Sequence, residues 1–356
     1  MRRILALIAT GALLLAGCTG PAPSPPAPTA PTSTLGLPTV PASTPPPITT
    51  LAFAGDVHFT GKTLKLLDDP ATAFGPVADV LRSADLAMIN LETAVTDRGT
   101  PAAKEYTFRA PPSAFAAIKA AGVDAVSQAN NHALDYGQVG LADALAASSA
   151  AGVPIVGAGE NAAAAWAPWI TTVHGSLRVA VLAFSQVEWP GYRDWEATDT
   201  RPGMAYAVTD EEIARAAAAV RAARAQADVV VVFMHWGIEP QSCPDSRQKA
   251  AAAAFAAAGA TVVVGTHTHV LQGEGWLGNT YVAYGMSNFI WYSDTSPSFD
   301  TGVVRVTLTG STVTGVEFVP AIIDPAGQPI PVSGAEADRI RAKVAGLREC
   351  TGLAAP

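Results

Sequence analysis

The chain has 356 residues, 49% of them hydrophobic, and a formal net charge of −8 with only 15% charged side chains. That length buries a substantial core, in one large domain or two smaller ones. The charge excludes a nucleic-acid face, because neutralising phosphates takes clustered lysine and arginine, and the sequence has no such cluster.

Two arginines and an apolar run, Ile4–Gly17, open the chain. The run is too short for a bilayer, which takes about 20 residues, and it suits a secretory leader. Its end, Leu15-Ala16-Gly17-Cys18, resembles the lipobox of bacterial lipoproteins. That resemblance implies a signal peptide over 1–17, cleaved before Cys18, and an extracytoplasmic protein anchored to the cell membrane through lipid on Cys18. Several acyl chains on one residue anchor stably where a single chain does not. From Pro21 to Ile48 the sequence holds eleven prolines among alanine, serine and threonine, with no charge. Proline fixes φ and lacks an amide donor, so 18–48 reads as a disordered, extended tether, reaching about 90 Å at about 3.1 Å per residue.

Apolar runs and alanine-rich helical stretches then alternate. Strands are predicted at Leu51–Ala54, Leu86–Ile89, Ala125–Ser127, Val179–Phe184, Val229–Met234, Val262–Val264 and Tyr281–Tyr284. Helices are predicted at Pro76–Ser83, Ser113–Ala121, Gly140–Ala151, Glu211–Ala225 and Arg247–Ala258. Short apolar runs without alternation indicate strands buried on both faces and covered by helices, an α/β fold. Thr171–Phe184 reads as a hairpin turning at His174-Gly175-Ser176, so His174 is assigned no chemistry. Gly302–Pro320 reads as a second pair of strands. The folded domain is expected over 49–325, followed by a C-terminal helix and loose tail over 326–356. Cys243 and Cys350 fit either a disulfide or two free thiols.

The chemistry gathers where the strands end. In Thr261-Val262-Val263-Val264-Gly265-Thr266-His267-Thr268-His269 a β-branched run leads to two histidines one residue apart. The glycine is expected to let the chain leave the sheet in a conformation that a side chain would hinder. The pair suits either a metal, which neutral imidazole binds, or a hydrogen-bonded loop. His58 follows the first strand, Glu92 the second, Asn131 and His132 the third, and His235 ends the run at Val229. Ligand sites of open α/β sheets sit at such carboxyl ends. Taken singly, each histidine also fits a core position satisfied by local hydrogen bonds. Five of the six at strand ends, with two acids and an amide, favour a metal centre.

Asp56, His58, Glu92, Asn131, His235, His267 and His269 are the candidate ligands. Mixed oxygen and nitrogen donors suit two divalent ions of zinc, manganese or iron better than calcium. Glu92 is the candidate bridge between the ions, and His132 the candidate catalytic residue, donating a proton to a leaving group or stabilising the developing charge. Two ions less the charges of Asp56 and Glu92 leave the site positive, which favours an anionic substrate.

These residues resemble the plan of the calcineurin-like metallophosphoesterases, and more closely the CapA family of capsule and poly-γ-glutamate synthesis proteins. The motifs that carry the resemblance are Asn90-Leu91-Glu92, Ser127-Gln128-Ala129-Asn130-Asn131-His132, Asp135-Tyr136-Gly137, His235-Trp236-Gly237-x-Glu239 and His267-x-His269-Val270-Leu271-Gln272. Tyr284-Gly285-Met286-Ser287-Asn288-Phe289 is similar to a closing motif of the family. The likeness runs from about Leu51 to Thr309. It implies a four-layer α/β/β/α sandwich with the site at the strand ends, and His267 and His269 serving different ions. Thr268 stands where the family has proline. Met286-Ser287 stands where it has Leu-Gly, and Asn-Leu-Glu replaces the Gly-Asp pair of general phosphoesterases.

Arg109 and Asn130 are further candidates for binding substrate or supporting the ligands, as is Asn288. Glu239 is expected to accept the second N–H of His235. Trp189, Tyr192 and Trp195 fit a substrate groove or the core equally. The functional expectation is a surface-anchored, metal-dependent hydrolase or transferase of an anionic polymer, with poly-γ-glutamate implied by the family and capsule-synthesis membrane proteins as partners. The alternatives are a non-catalytic component that holds or exports polyglutamate, and an extracellular phosphoesterase.

Overall fold

A computed structural model describes residues 46–356, together with 16–17 and 20–26. Cys18, most of the leader and most of the tether lie outside the described residues. Two sheets dominate. The first runs in the order Pro329–Pro331, Thr312–Ile323, Asp300–Thr309, Ile48–Val57, Leu86–Leu91, Ala125–Ser127, Ile155–Val156, with Asn288–Ile290 beside Ile48–Val57. The second runs Glu274–Leu277, Thr280–Ala283, Val262–Thr266, Val229–His235, Leu177–Ser185, Trp169–Val173. The central strands of both sheets are parallel, which is what their unbroken apolar runs require.

Side chains alternate along these strands into separate cores. Leu51, Phe53, Leu86 and Met88 of the first sheet pack against Val179, Val181, Val231, Phe233, Val262 and Val264 of the second. The intervening residues face outward. Ala52, Ala54, Ala87 and Ile89 meet the helices Val77–Arg82, Ser113–Ala120 and Gly137–Ala151. Ala180, Leu182, Val230 and Val232 meet Ala162–Trp166, Asp210–Arg224 and Ser246–Ala257. Helix, sheet, sheet and helix make the expected α/β/β/α sandwich, with three apolar seams between its layers.

The predicted strands and helices are present, with ends shifted by a few residues. Local chemistry sets some of these ends. Thr209 caps the helix Asp210–Arg224 and receives the reciprocal bond of a capping box from Glu212. The hairpin at His174 is observed, and His174 Nε2 reaches Asp85 Oδ1 at 3.1 Å.

The C-terminal segment differs from expectation. Residues Pro46–Pro356 form one compact unit. The last helix, Gly334–Leu347, sends Ile340 and Val344 into the seam between the sheets, so 326–356 belongs to the sandwich. Its tail is not loose: Cys350 is bonded to Cys243, and Ala354 pairs with Trp276. Among the described residues no helix is long and apolar enough to cross a membrane.

Candidate metal centre

Strand parity aims the polar residues into the seam. In the second strand Leu86 and Met88 face the inter-sheet core, so Asn90 and Glu92 continue on that side. Along Val229–His235 the same rule takes Val229, Val231 and Phe233 inward and brings His235 with them. Asp56 breaks parity with Leu51 and Phe53, and a register irregularity between Ala54 and Asp56 turns it inward. Asp56 lies beside Asn90 and Asn288 in the first sheet, and His235 beside Thr266 and Ser185 in the second. The carboxyl ends of both sheets therefore open on one seam.

The geometry centres on Glu92. Its Oε2 lies 3.3 Å from His58 Nε2, and its Oε1 lies 3.3 Å from His235 Nε2 and 3.9 Å from His132 Nε2. Asp56 Oδ2 lies 3.5 Å from His269 Nδ1 and accepts the His267 amide at 3.2 Å. Asn131 Oδ1 meets His235 Nε2 at 2.7 Å. His267 and His269 take positive φ, 94° and 56°, where side chains are rarely found, a strain typical of functional loops. Gly265, contrary to the expectation from sequence, does not serve by a special φ. A Cβ there would meet Trp236 Nε1 at 2.1 Å and Tyr284 O at 2.2 Å, so glycine permits close packing behind the histidine loop.

Both nitrogens of His58, both carboxylate oxygens of Glu92 and His267 Nδ1 are buried without a hydrogen-bond partner. Orphaned buried polar atoms are costly unless something other than a hydrogen bond satisfies them, and a bound ion does so. Ligand atoms of Glu92, His235 and His267 gather within 4.8 Å of one another, as do those of Asp56, Glu92 and His269, and of Glu239, His267 and His269. Glu92 is common to the first two groups, and the two closing histidines divide between them. Imidazole nitrogens with few carboxylates fit a divalent transition metal.

Electrostatics agree with that inventory. Burial would raise the Glu92 carboxyl, but His235 and His58 hold it well below its usual range. Burial, reinforced by His235 and His269, pushes His267 well down, leaving a neutral imidazole. Burial also works against charge on His269, yet Asp56, Glu92 and Glu239 raise it to about 10.

Neighbouring groups fix the ligands. His269 Nδ1 lies 2.8 Å from Asn288 Oδ1, and His235 Nδ1 lies 3.0 Å from Thr266 Oγ1. Such outer hydrogen bonds set the tautomer of a ligating imidazole. Asn130 donates to Asn90 Oδ1 and Leu91 O, both at 3.0 Å, and accepts the His132 amide at 3.1 Å. His132 donates Nδ1–H to Asp135 Oδ2 at 2.6 Å and stacks on Phe108 with ring centroids 4.1 Å apart. Burial, with Lys104 acting in the same direction, lowers His132 against the pull of Asp135 and Glu92. With Nδ1–H committed to Asp135, Nε2 is the ring atom left to face the cluster.

Two expectations change. Glu239 does not partner His235; its Oε1 lies 3.5 Å from His267 Nδ1 and 3.7 Å from His269 Nε2. Its loop runs past the His-x-His turn, which spacing alone does not reveal. Arg109 is exposed, with its guanidinium 4.6 Å from the Tyr136 ring centre, and lines neither cavity at the centre. Lys104 was missed. It pairs with Asp135 Oδ1 at 2.8 Å, donates to Asn131 O, and lies 5.8 and 5.2 Å from the rings of Trp189 and Trp195. It sits in a polar loop with no periodicity to mark it.

Two cavities reach the cluster. One of about 550 Å³ is lined by Lys104, Tyr106, Phe108, His132, His269 and Trp291 among others. The other, of about 410 Å³, reaches His267 past Gln186, Ile238 and Arg247.

A model of the bacterial capsule synthesis protein family, PGA_cap, matches residues 50–293. The chain belongs to this family. It is 30% identical over 292 residues to the capsule biosynthesis protein CapA of Bacillus anthracis, covering 80% of this chain and 70% of that one. It is 29% identical over 285 residues to the PGA biosynthesis protein CapA of Bacillus subtilis, covering 79% and 73%. Among solved structures, a hypothetical protein from Thermus thermophilus superposes with a TM-score of 0.50 at 17% identity, over 76% of this chain and 98% of that one, a likeness of fold alone. The matched PGA_cap region contains every candidate ligand from Asp56 to His269.

Proposed function

We propose that this PGA_cap protein is a surface-anchored lipoprotein of poly-γ-glutamate or capsule synthesis or processing, performing metal-dependent hydrolysis or transfer on an anionic polymer. The observation that carries the metal reading is Glu92, fully buried with both oxygens unpartnered between His58 and His235. Family membership supports the polymer, as the relatives are named for capsule and PGA biosynthesis.

Two divalent ions held by Asp56, His58, Glu92, Asn131, His235, His267 and His269 would supply Lewis acidity and activate water for attack on an acyl or phosphoryl centre. Asp135 holds the His132 ring through Nδ1, so Nε2 takes a proton from the attacking group and returns it to the leaving group. Lys104 holds the Asp135 carboxylate in place. Tyr106, Trp291 and Tyr292 give the polymer an aromatic wall beside His132. Lipid on Cys18 would hold the protein at the membrane near membrane-bound synthesis proteins, and the proline-rich tether would let the domain reach nascent polymer beyond the surface.

The full-length chain tests this. Its metal content is measured, and it is assayed with poly-γ-glutamate and with phosphate esters beside His132→Ala. Turnover of the polymer that falls at least about a hundredfold in the variant is expected. A metal-loaded protein that turns over neither substrate, and binds polymer equally well with His132→Ala, would instead be a binding component. Cys18→Ser is expected to release the protein from membranes; retention contradicts the anchor.

A further inference from the structure

We propose that Glu239 is a specificity-determining residue, an anionic gate that turns the metal centre away from phosphate dianions and towards the neutral carbonyl of an amide. This rests on the two-ion reading above and deepens it by choosing the bond.

Position is the first support. Glu92 approaches the histidines from the buried side and is fully enclosed, whereas the Glu239 side chain is 47% exposed. Glu239 Oε1 lies within 3.7 Å of a nitrogen on each closing histidine; with Glu92 these histidines fall in different ligand groups, and with Glu239 they form a third. Its carboxylate therefore stands at the exposed side of the His267–His269 pair, at the mouth of the cluster. Glu239 also lines both cavities, so a chain running from one to the other passes it.

The carboxylate is held there. Four residues on, Cys243 is bonded to Cys350 of the C-terminal tail. The carbonyl of Gln241 accepts Gln272 Nε2 at 2.8 Å, and Gln272 follows the His-x-His turn. Both contacts hold the backbone just after Glu239, one against the His-x-His segment and one against the tail.

Charge then decides what the mouth admits. Two divalent ions with Asp56 and Glu92 leave two positive charges, and Glu239 cancels one more. A phosphate dianion bound across the ions would bring its oxygens against this carboxylate, a like-charge contact poorly screened in a recessed site. An amide carbonyl brings no charge. The cations of the two cavities are already engaged, Lys104 with Asp135 and Arg247 with Glu188, and Glu105, Glu188 and Asp245 add further acids to the walls, so the approach to the centre disfavours a dianion as well.

The test uses the metal-loaded full-length protein and inorganic phosphate as probe. Binding is measured by calorimetry for the native chain, Glu239→Gln and Glu239→Asp, with metal content measured on the same samples. Glu239→Gln is expected to keep its metal and bind phosphate about tenfold tighter or more, while Glu239→Asp, which keeps the charge, stays weak. Unchanged phosphate affinity in Glu239→Gln with metal retained overturns the gate. Loss of metal from Glu239→Gln also overturns it, since Glu239 would then be needed to build the centre. The readout needs no turnover. A protein inert towards polyglutamate leaves a positive result standing, and one that cleaves polyglutamate with phosphate affinity unchanged by Glu239→Gln removes the gate alone.

Discussion

Glu92 and His235 come from different sheets, yet Glu92 Oε1 lies 3.3 Å from His235 Nε2 with both side chains fully buried. Two layers that otherwise meet through valine, leucine and phenylalanine thus share a polar seam at one end. Burial disfavours the charge on Glu92, and the facing histidines are what sustains it. In the loaded protein the ions would take over that role.

The closing pair should separate the two ions. His267 groups with Glu92 and His235, and His269 with Asp56 and Glu92. His267→Ala and His269→Ala are each expected to lose about one metal equivalent and keep the other. Elemental analysis of the purified variants checks this; loss of both ions from both variants would mean that the ions bind only as a pair.

Metal affinity should rise with pH. His269 is raised to about 10 by Asp56, Glu92 and Glu239 against the effect of burial, so the metal-free protein carries a proton there at neutral pH. A ligand nitrogen must lose that proton, so affinity grows about tenfold per pH unit between about 7 and 9. Stability of the metal-free form runs the other way. A raised histidine contributes stability that is full below its unfolded value near 6.5 and disappears as pH climbs through about 10. Melting temperatures of the metal-free protein across that window, and competition titrations of metal, measure the two slopes.

The disulfide should matter more than its place near the terminus suggests. Cys243 and Cys350 are 107 residues apart, so their bond closes a long loop and fastens the tail to the segment that carries Glu239. Cys243→Ser is expected to cost up to about 4–5 kcal/mol, read from denaturant midpoints with and without reductant. Equal midpoints would show that the bond does not form.

Much of this was legible in the sequence, for a physical reason. Strands buried on both faces must be apolar throughout, so Val229–His235 and Val262–Thr266 announce themselves, and the polar residues that end them stand out. The direction of Asp56 was not legible, because it depends on a one-residue irregularity within its strand. Nor was the partner of Glu239, which is set by a loop tied to the C-terminal tail. Lys104 reads as a surface charge until the fold brings Trp189, Trp195 and Asp135 around it.

Gly265 was legible for its identity and not for its reason. Gly265→Ala places a methyl group against Trp236 Nε1, which donates to Tyr284 O at 2.7 Å. Overpacking of this kind costs about 1–3 kcal/mol, and here the displaced backbone leads directly into His267. The variant is expected to melt lower and bind metal more weakly; native behaviour in both would show that the packing behind the loop is slack.

Metal stoichiometry in the native chain and in Glu92→Gln is the most direct test of a centre bridged across the seam. Elemental analysis after dialysis against metal-free buffer is expected to find two divalent ions per native chain and fewer than about half an equivalent in Glu92→Gln, with the variant still folded by circular dichroism. Equal metal content in the two proteins would contradict it.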